Sequence, residues 1–197
     1  MRIFRYLRNG VSCYYNRCKF SCVGIQLGKK SRLLGCIYIK VDRLKSKVII
    51  GNNFILNGGG GRNAISRNIC SAIRVEKNAS LVIGDNVRIS DTCIWSHDSI
   101  EIGDFVTIGG DTIINDSNCH SIDFNDRRHE ILSPKGIIHR PIVIEEDVFI
   151  GARCIIGKGV TIGARSIIGA GSIVVSDIPK DVIAGGNPCK IIKYLKW

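Results

Sequence analysis

No stretch of 18 or more apolar residues occurs, so no membrane-spanning helix is expected. Proline is scarce, with four residues, and methionine occurs once. Acid is nearly missing from the first quarter. Residues 1–47 hold twelve Lys or Arg and one carboxylate, Asp42, while 48–197 balance sixteen bases against sixteen acids. The formal net charge of +11 therefore belongs to the N-terminal part. The nine cysteines contain no CxxC pair, and no Cys/His cluster has zinc-finger spacing, which excludes a zinc finger. No aromatic interleaving or recognition motif accompanies the bases, so a nucleic-acid partner is not expected. The opening MRIFRYLRNG mixes charge into its apolar residues, lacks a clear cleavage site and does not read as a signal peptide.

At 197 residues, 45% hydrophobic and 23% charged, the composition suits one main domain with a small appendage. A disulfide framework is not expected at this size. The cysteines read as small buried hydrophobes in a reducing cytosol, with Cys93 and Cys154 standing where neighbouring repeats have Val or Ser. In the basic segment, Ile3, Phe4, Leu7 and Val11 share a helical face, with Arg2, Arg5 and Arg8 largely beside it. Peripheral contact with an anionic membrane is one expectation for it. Docking on the protein's own core is the commoner fate of such a segment.

What is abundant is glycine, with 22 residues, and aliphatic residues at steps of six. Ile144, Ile150, Ile156, Ile162, Ile168 and Val174 follow one another without a break. An earlier block repeats the grammar at Ile83 and Ile89 and again at Ile102, Ile108 and Ile114, with a slip of one residue around Ile94–Ile100. A helix cannot use this period, because six residues is about 1.67 turns and the Ile would drift around the cylinder. Strands can, because side chains alternate faces at period two. Each hexad then supplies a short strand and a corner, and three hexads make one triangular coil of about 18 residues. The glycine after each Ile is expected to supply unusual φ at the corner. The fold class is all-β, a parallel β-helix. Its expected division is a basic segment 1–47, a β-helix 48–178 with an active-site loop 121–141, and a closing segment 179–197.

The hexads IGARCIIGKGVTIGARSIIGAGSIVV, the ending SDIPKDVIAGGNPCKIIK and the segment NCHSID resemble the hexapeptide-repeat (isoleucine-patch) acyltransferases over roughly residues 75–193. Within that family they are similar to maltose, galactoside and polysaccharide-cluster O-acetyltransferases. The resemblance implies left-handed coils, a homotrimer, and acetyl-CoA bound between neighbouring copies as acyl donor, with no metal required. It also implies a cytoplasmic enzyme that acetylates a sugar hydroxyl, of a surface polysaccharide or its precursor.

Counting six from Ile102 through 108 and 114 lands on His120, where the ladder stops and a polar stretch begins. By resemblance His120 matches the family's catalytic base. An imidazole with a pKa near 6.5 suits the task of taking a proton from an attacking hydroxyl. Asp116 or Asp123 is expected to orient it, and spacing does not choose between them. The resemblance further assigns Ala152 and Ala170 to the pantetheine arm, Phe149 to packing on the donor, and Lys190 and Lys193 to its phosphates. It places Ser90 and His97 near the acceptor. His129 and His139 are read as serving structure or solvent.

Other chemistries remain open at this point: an amino-sugar N-acetyltransferase, a serine acetyltransferase-like enzyme, antibiotic acetylation, or a β-helix serving only as a binding scaffold. A zinc hydratase on this scaffold needs an HxxxxH segment, and position 125 is Asn.

Overall fold

The structure is a computed structural model that describes residues 2–59, 62–65, 69–129 and 135–197, apart from the side chains of 2–6. It is a left-handed parallel β-helix. Three sheets of six, eight and six strands form the faces of a prism, and the chain visits them in rotation. The first coil runs through Gln26–Leu27 on the first face, Arg32–Gly35 on the second and Ile37–Val41 on the third. The prism thus starts before residue 48. Ile25, Leu33 and Ile37 belong to the core of this first coil, and the six-step spacing persists there at Leu27, Leu33 and Ile39, with leucine largely in place of isoleucine.

The aliphatic steps become three vertical columns. Ile83, Ile102, Ile144 and Ile162 superpose on the first face. Ile89, Ile108, Ile150 and Ile168 do so on the second, and Ile94, Ile114, Ile156 and Val174 on the third. All are at most 2% exposed, so each lies inside a continuous core. The one-residue slip is the sum of two changes: Ile89 to Ile94 spans five residues, through a corner where Asp91 takes a φ of 45°, and Ile94 to Ile102 spans eight.

The hexad glycines serve a different purpose from the one expected. Positive φ falls further along each corner, at Asn86, Phe105, Asp111, Asp147, Arg153 and Arg165. At Gly84, Gly103, Gly109, Gly151 and Gly163 the glycine after the Ile is needed because the next coil passes so close, whereas Gly157 and Gly169 have more room. A Cβ on Gly151 would lie 2.6 Å from the Ala170 amide nitrogen, and backbone cannot move aside.

Two excursions leave the prism at corners. One spans 59–70 between the second and third faces; the other, 116–141, lies between the third and first. The second begins before residue 121 and contains a short helix α2 (Phe124–Arg128), capped by the Asp123 carboxylate accepting from the Asn125 amide at 2.7 Å. Residues 130–134 of the expected loop lie outside the described residues.

Cys36 and Cys70 form a disulfide, which corrects the reading of all nine cysteines as thiols. They occupy equivalent places in successive coils, next to the Ile37–Ser71 pair. Stacking sets their Cα atoms 4.8 Å apart, within disulfide reach. Cys154 is buried as expected, whereas Cys93 is half-buried in the outward column of the third face.

Both ends of the stack are closed. Helix α1 (Arg2–Cys22) covers the first coil. Its Asn16 amide donates to the Leu33 and Gly35 carbonyls at 3.1 and 3.0 Å, and Ser12 Oγ accepts from the Gly35 amide at 2.6 Å. At the far end Val182–Gly185 adds a parallel strand, and Lys190–Tyr194 then pairs antiparallel to it. No helix among the described residues is long and apolar enough to cross a membrane.

Ile150 is fully buried at mid-column. Ile150→Ala is expected to cost about 2–5 kcal/mol of stability, because neighbouring coils pinned by hydrogen bonds collapse poorly onto the void. Denaturant unfolding measures this, and a loss below about 1 kcal/mol would mean that the column does not carry the core.

Candidate functional site

The corner between the third and first faces gathers the histidines. The strand Cys93–Ser96 ends there, and His97 follows it. One coil on, Ile113–Asn115 ends at the same corner and Asp116 follows. Asp116 is fully buried. Its carboxylate accepts from the backbone amides of His97 and Asp98 at 2.7 and 2.9 Å and from Ser96 Oγ at 3.0 Å. His97 Nδ1 lies 3.4 Å from Asp116 Oδ1, a close charge contact not aligned as a hydrogen bond.

The neck of the excursion is closed by an antiparallel bridge between Ser117 and His139. His139 Nδ1 lies 2.9 Å from Ser117 Oγ, and its ring stacks on His97 with centroids 5.0 Å apart. Trp95 leans on the His97 ring at 4.7 Å, donates to Glu76 Oε1 at 2.9 Å, and carries the Arg74 guanidinium over its face at 4.3 Å. Burial is the largest influence on His97 and holds it below the ordinary imidazole value; Asp116 pulls the other way and His139 adds to the lowering. Glu76 sits below the usual carboxylate range, because its hydrogen bonds from Trp95 and Arg74 together outweigh burial.

His120 stands exposed just beyond the neck, two residues after Asn118, whose amide donates to the Ile138 carbonyl at 3.1 Å. It does not fill the inward slot that counting by six assigned to it. The chain leaves the prism at Asp116, and Ile142 and Ile144 take the inward places on the first face. The two carboxylates considered as its orienters have other work. Asp116 organises the His97–Asp98 turn, and Asp123 caps α2. His129 is the C-cap of α2.

The residues assigned to the donor lie elsewhere. Ala152 and Ala170 stack at the corner between the second and third faces, in a column of small residues with Gly109, Gly151 and Gly169. Such a column leaves room for a narrow chain to lie along it. Phe149 points outward from the second face at 47% exposure, so it is not a core residue. Lys190 and Lys193 are exposed on the strand that closes the same face. Ser90 is half-buried at this small-residue corner, away from His97. The excursion 59–70 crosses here too, with Arg153 Nη2 3.5 Å from the Ile65 carbonyl. Sequence reading missed that excursion, although the run Gly58–Gly61 marked it. It also missed the Trp95–His97–His139 stack, which only the superposition of coils assembles. No group of three or more His, Cys, Asp or Glu among the described residues is placed to hold a metal ion.

Comparison with known proteins fits this architecture. A family model described as the hexapeptide repeat of succinyl-transferase matches residues 141–176. The galactoside O-acetyltransferase of Escherichia coli is 36% identical over 122 residues, 61% of this chain and 60% of its own length. The chain therefore spans about three-fifths of that relative. A hexapeptide-repeat-containing acetyltransferase of Vibrio cholerae is 31% identical, with a TM-score of 0.57 over 87% of this chain and 74% of that one. An N-acyltransferase from Bacillus cereus, solved with dTDP-4-amino-4,6-dideoxyglucose and coenzyme A, has a TM-score of 0.74 at 21% identity over 92% and 90% of the two chains, a likeness of fold.

The lowered His97 makes a pH prediction. Its stabilising effect is complete above the unfolded value of about 6.5 and is lost as pH falls from there through the lower folded value, where the unfolded chain binds the proton first. The His97 ring signals in NMR should titrate below 6.5. Asp116→Asn should lower the midpoint further, since it removes the charge that favours imidazolium. A wild-type midpoint above 6.5 would show that Asp116, not burial, controls the ring.

Proposed function

The chain belongs to the hexapeptide-repeat acetyltransferases, and from that premise we propose an acetyl-CoA-dependent O-acetyltransferase that modifies a sugar hydroxyl of a surface polysaccharide or its precursor, in the cytoplasm. The observation that carries the reading is the exposed His120 at the neck of an excursion from an otherwise regular scaffold. Long excursions of this kind are usually functional.

In the proposed step the acceptor hydroxyl attacks the thioester carbonyl while His120 takes its proton. The tetrahedral oxyanion then collapses, the C–S bond breaks, and the CoA sulfur leaves with the proton from the imidazolium. Base catalysis of this kind is worth about 10²–10⁴ in rate. Phe149, Ala152 and Ala170 would line the donor arm, and Lys190 and Lys193 would meet its phosphates. His97 and Ser90 would contact the acceptor.

His120 and His97 belong to one corner of the prism and Ser90, Ala152 and Ala170 to another, with the third face between them, so Ser90 would reach the acceptor from a neighbouring copy. That face carries an outward column of Tyr38, Ala72, Cys93, Ile113, Ile155 and Ile173. Tyr38, Ile113 and Ile155 are exposed. We propose that this column packs against neighbouring copies in a homotrimer, so that the histidine corner of one copy faces the small-residue corner of the next. Light scattering should give three times the 21.7 kDa chain, and Ile113→Asp should release monomers. A monomeric wild type would remove the shared site.

A second observation, the His97 imidazole held neutral over a buried carboxylate, supports giving the base role to His97. One experiment separates the two: acetyl-CoA turnover against sugars, amino sugars and serine, for wild type, His120→Ala and His97→Ala. The expected result is an O-acetylated sugar, and a fall in kcat of about 10²–10⁴ in His120→Ala with CoA binding kept. Undiminished turnover in that variant transfers the role to His97 if His97→Ala is the one that falls. Acetylation of the amines alone would replace the hydroxyl acceptor.

A further inference from the structure

A surface helix ordinarily turns its apolar stripe toward the core. Helix α1 does the reverse. Its inward side is largely polar, because the open edge of the first coil offers backbone groups that need hydrogen bonds. Asn16 and Ser12 meet the Leu33–Gly35 backbone, and Arg17 donates to the Ser31 carbonyl at 2.9 Å. Phe20 is the large apolar side chain that this side buries.

The apolar stripe therefore faces water. Leu7, Val11, Tyr14, Tyr15, Cys18 and Cys22 recur at helical spacing and cover about a third of the circumference at 3.6 residues per turn. The first four are between 62% and 75% exposed. Ile3 and Phe4, expected on the same face, have side chains outside the described residues. Arg8 and Lys19 border the stripe on one side and Arg17 on the other; Lys19 also donates to the Ile37 carbonyl and lies over the Tyr15 ring, and Arg17 holds the Ser31 carbonyl. Just past the helix, Arg43 packs against Gly24, and the turn it belongs to presents Leu44 at 91% exposure between Arg43 and Lys45. A groove of about 310 Å³ opens beside the stripe, lined by Tyr15, Cys18, Lys19, Cys22, Val23 and Ile39.

We propose that this end of the prism docks on an anionic lipid surface, with α1 lying in the interface plane and Leu44 inserted beside it. The combination of an apolar stripe with a basic border is the signature of an interfacial helix. Charge selects among occupants. A second copy would bring the +11 of residues 1–47 against another +11. Nucleic acid would satisfy the bases and leave the stripe in water. Docked in this way, the prism stands upright, and its histidine corner lies roughly 15–20 Å above the surface at 4.7–4.9 Å per coil. That height suits a glycan whose other end is held in the lipid. This last point rests on the acetyl-transfer reading; the docking does not.

The test is co-sedimentation of the full chain with phosphatidylcholine vesicles and with vesicles containing phosphatidylglycerol, an assay that needs no acetyl donor. Binding is expected to the anionic vesicles alone. It should weaken at least about tenfold in Leu7→Glu/Val11→Glu and again in Arg43→Glu/Lys45→Glu. Circular dichroism and turnover on a soluble acceptor should stay unchanged in both variants. Absent binding, equal binding to both vesicle types, or binding indifferent to the Leu7→Glu/Val11→Glu change overturns the proposal. A fall in light-scattering mass in that variant would make the occupant a second copy and also overturn it.

Discussion

The whole molecule depends on one contact repeated along its length, the hydrogen bond between equivalent main-chain positions of successive coils. Gly51 donates to Ile83, Gly84 to Ile102, Gly103 to Ile144 and Gly151 to Ile168, at 2.7–2.8 Å. This vertical registry makes like side chains superpose. It stacks isoleucine on isoleucine, demands glycine where one corner passes over another, and sets Cys36 over Cys70. An extra residue within a strand would turn the following side chains to the wrong face. The chain accordingly adds material only at corners, and both excursions sit there.

The same registry explains the candidate site. His97 and Asp116 are neighbours because each ends its strand at the same corner, one coil apart. The His97 backbone turn is built around the Asp116 carboxylate, so the ring is held by main chain as well as by its own contacts. The scaffold provides a rigid floor, and the arm that leaves it after Asp116 provides His139 and His120. Small residues at the other corner form a narrow shelf, bordered where Arg153 meets the Ile65 carbonyl. The histidine corner and the small-residue corner are thus separated by one face of the prism, which carries an outward column of Tyr38, Ala72, Cys93, Ile113, Ile155 and Ile173 beside a polar one that begins at Lys40 and Arg74.

Much of the fold was legible from Ile144 to Val174, where six-residue steps run unbroken. The first coil was not, although Leu27, Leu33 and Ile39 keep the six-residue step, because the next steps are eleven residues from Ile39 to Ile50 and seventeen from Leu56 to Ile73. The purpose of the hexad glycines was misread, since close approach between coils is a property of the stack and not of a single turn. Counting by six reached His120, but the ladder ends at Ile114 and the chain leaves the prism at Asp116, four residues earlier. The Trp95–His97–His139 stack was not visible, because its members are joined through space by coils and by the closed neck. The destination of α1's apolar stripe was likewise invisible, because periodicity marks a stripe without saying which way it faces.

The two lids of the prism have a further meaning. A parallel β-helix with bare ends exposes unpaired strands that match each other, top to bottom, and such edges invite fibre growth. Here one end is closed by amide and hydroxyl groups of a helix, and the other by a strand running backwards. Neither can serve as template for the other. The repeat that makes the protein easy to extend by duplication is thereby kept from extending by association, and the molecule remains a discrete particle.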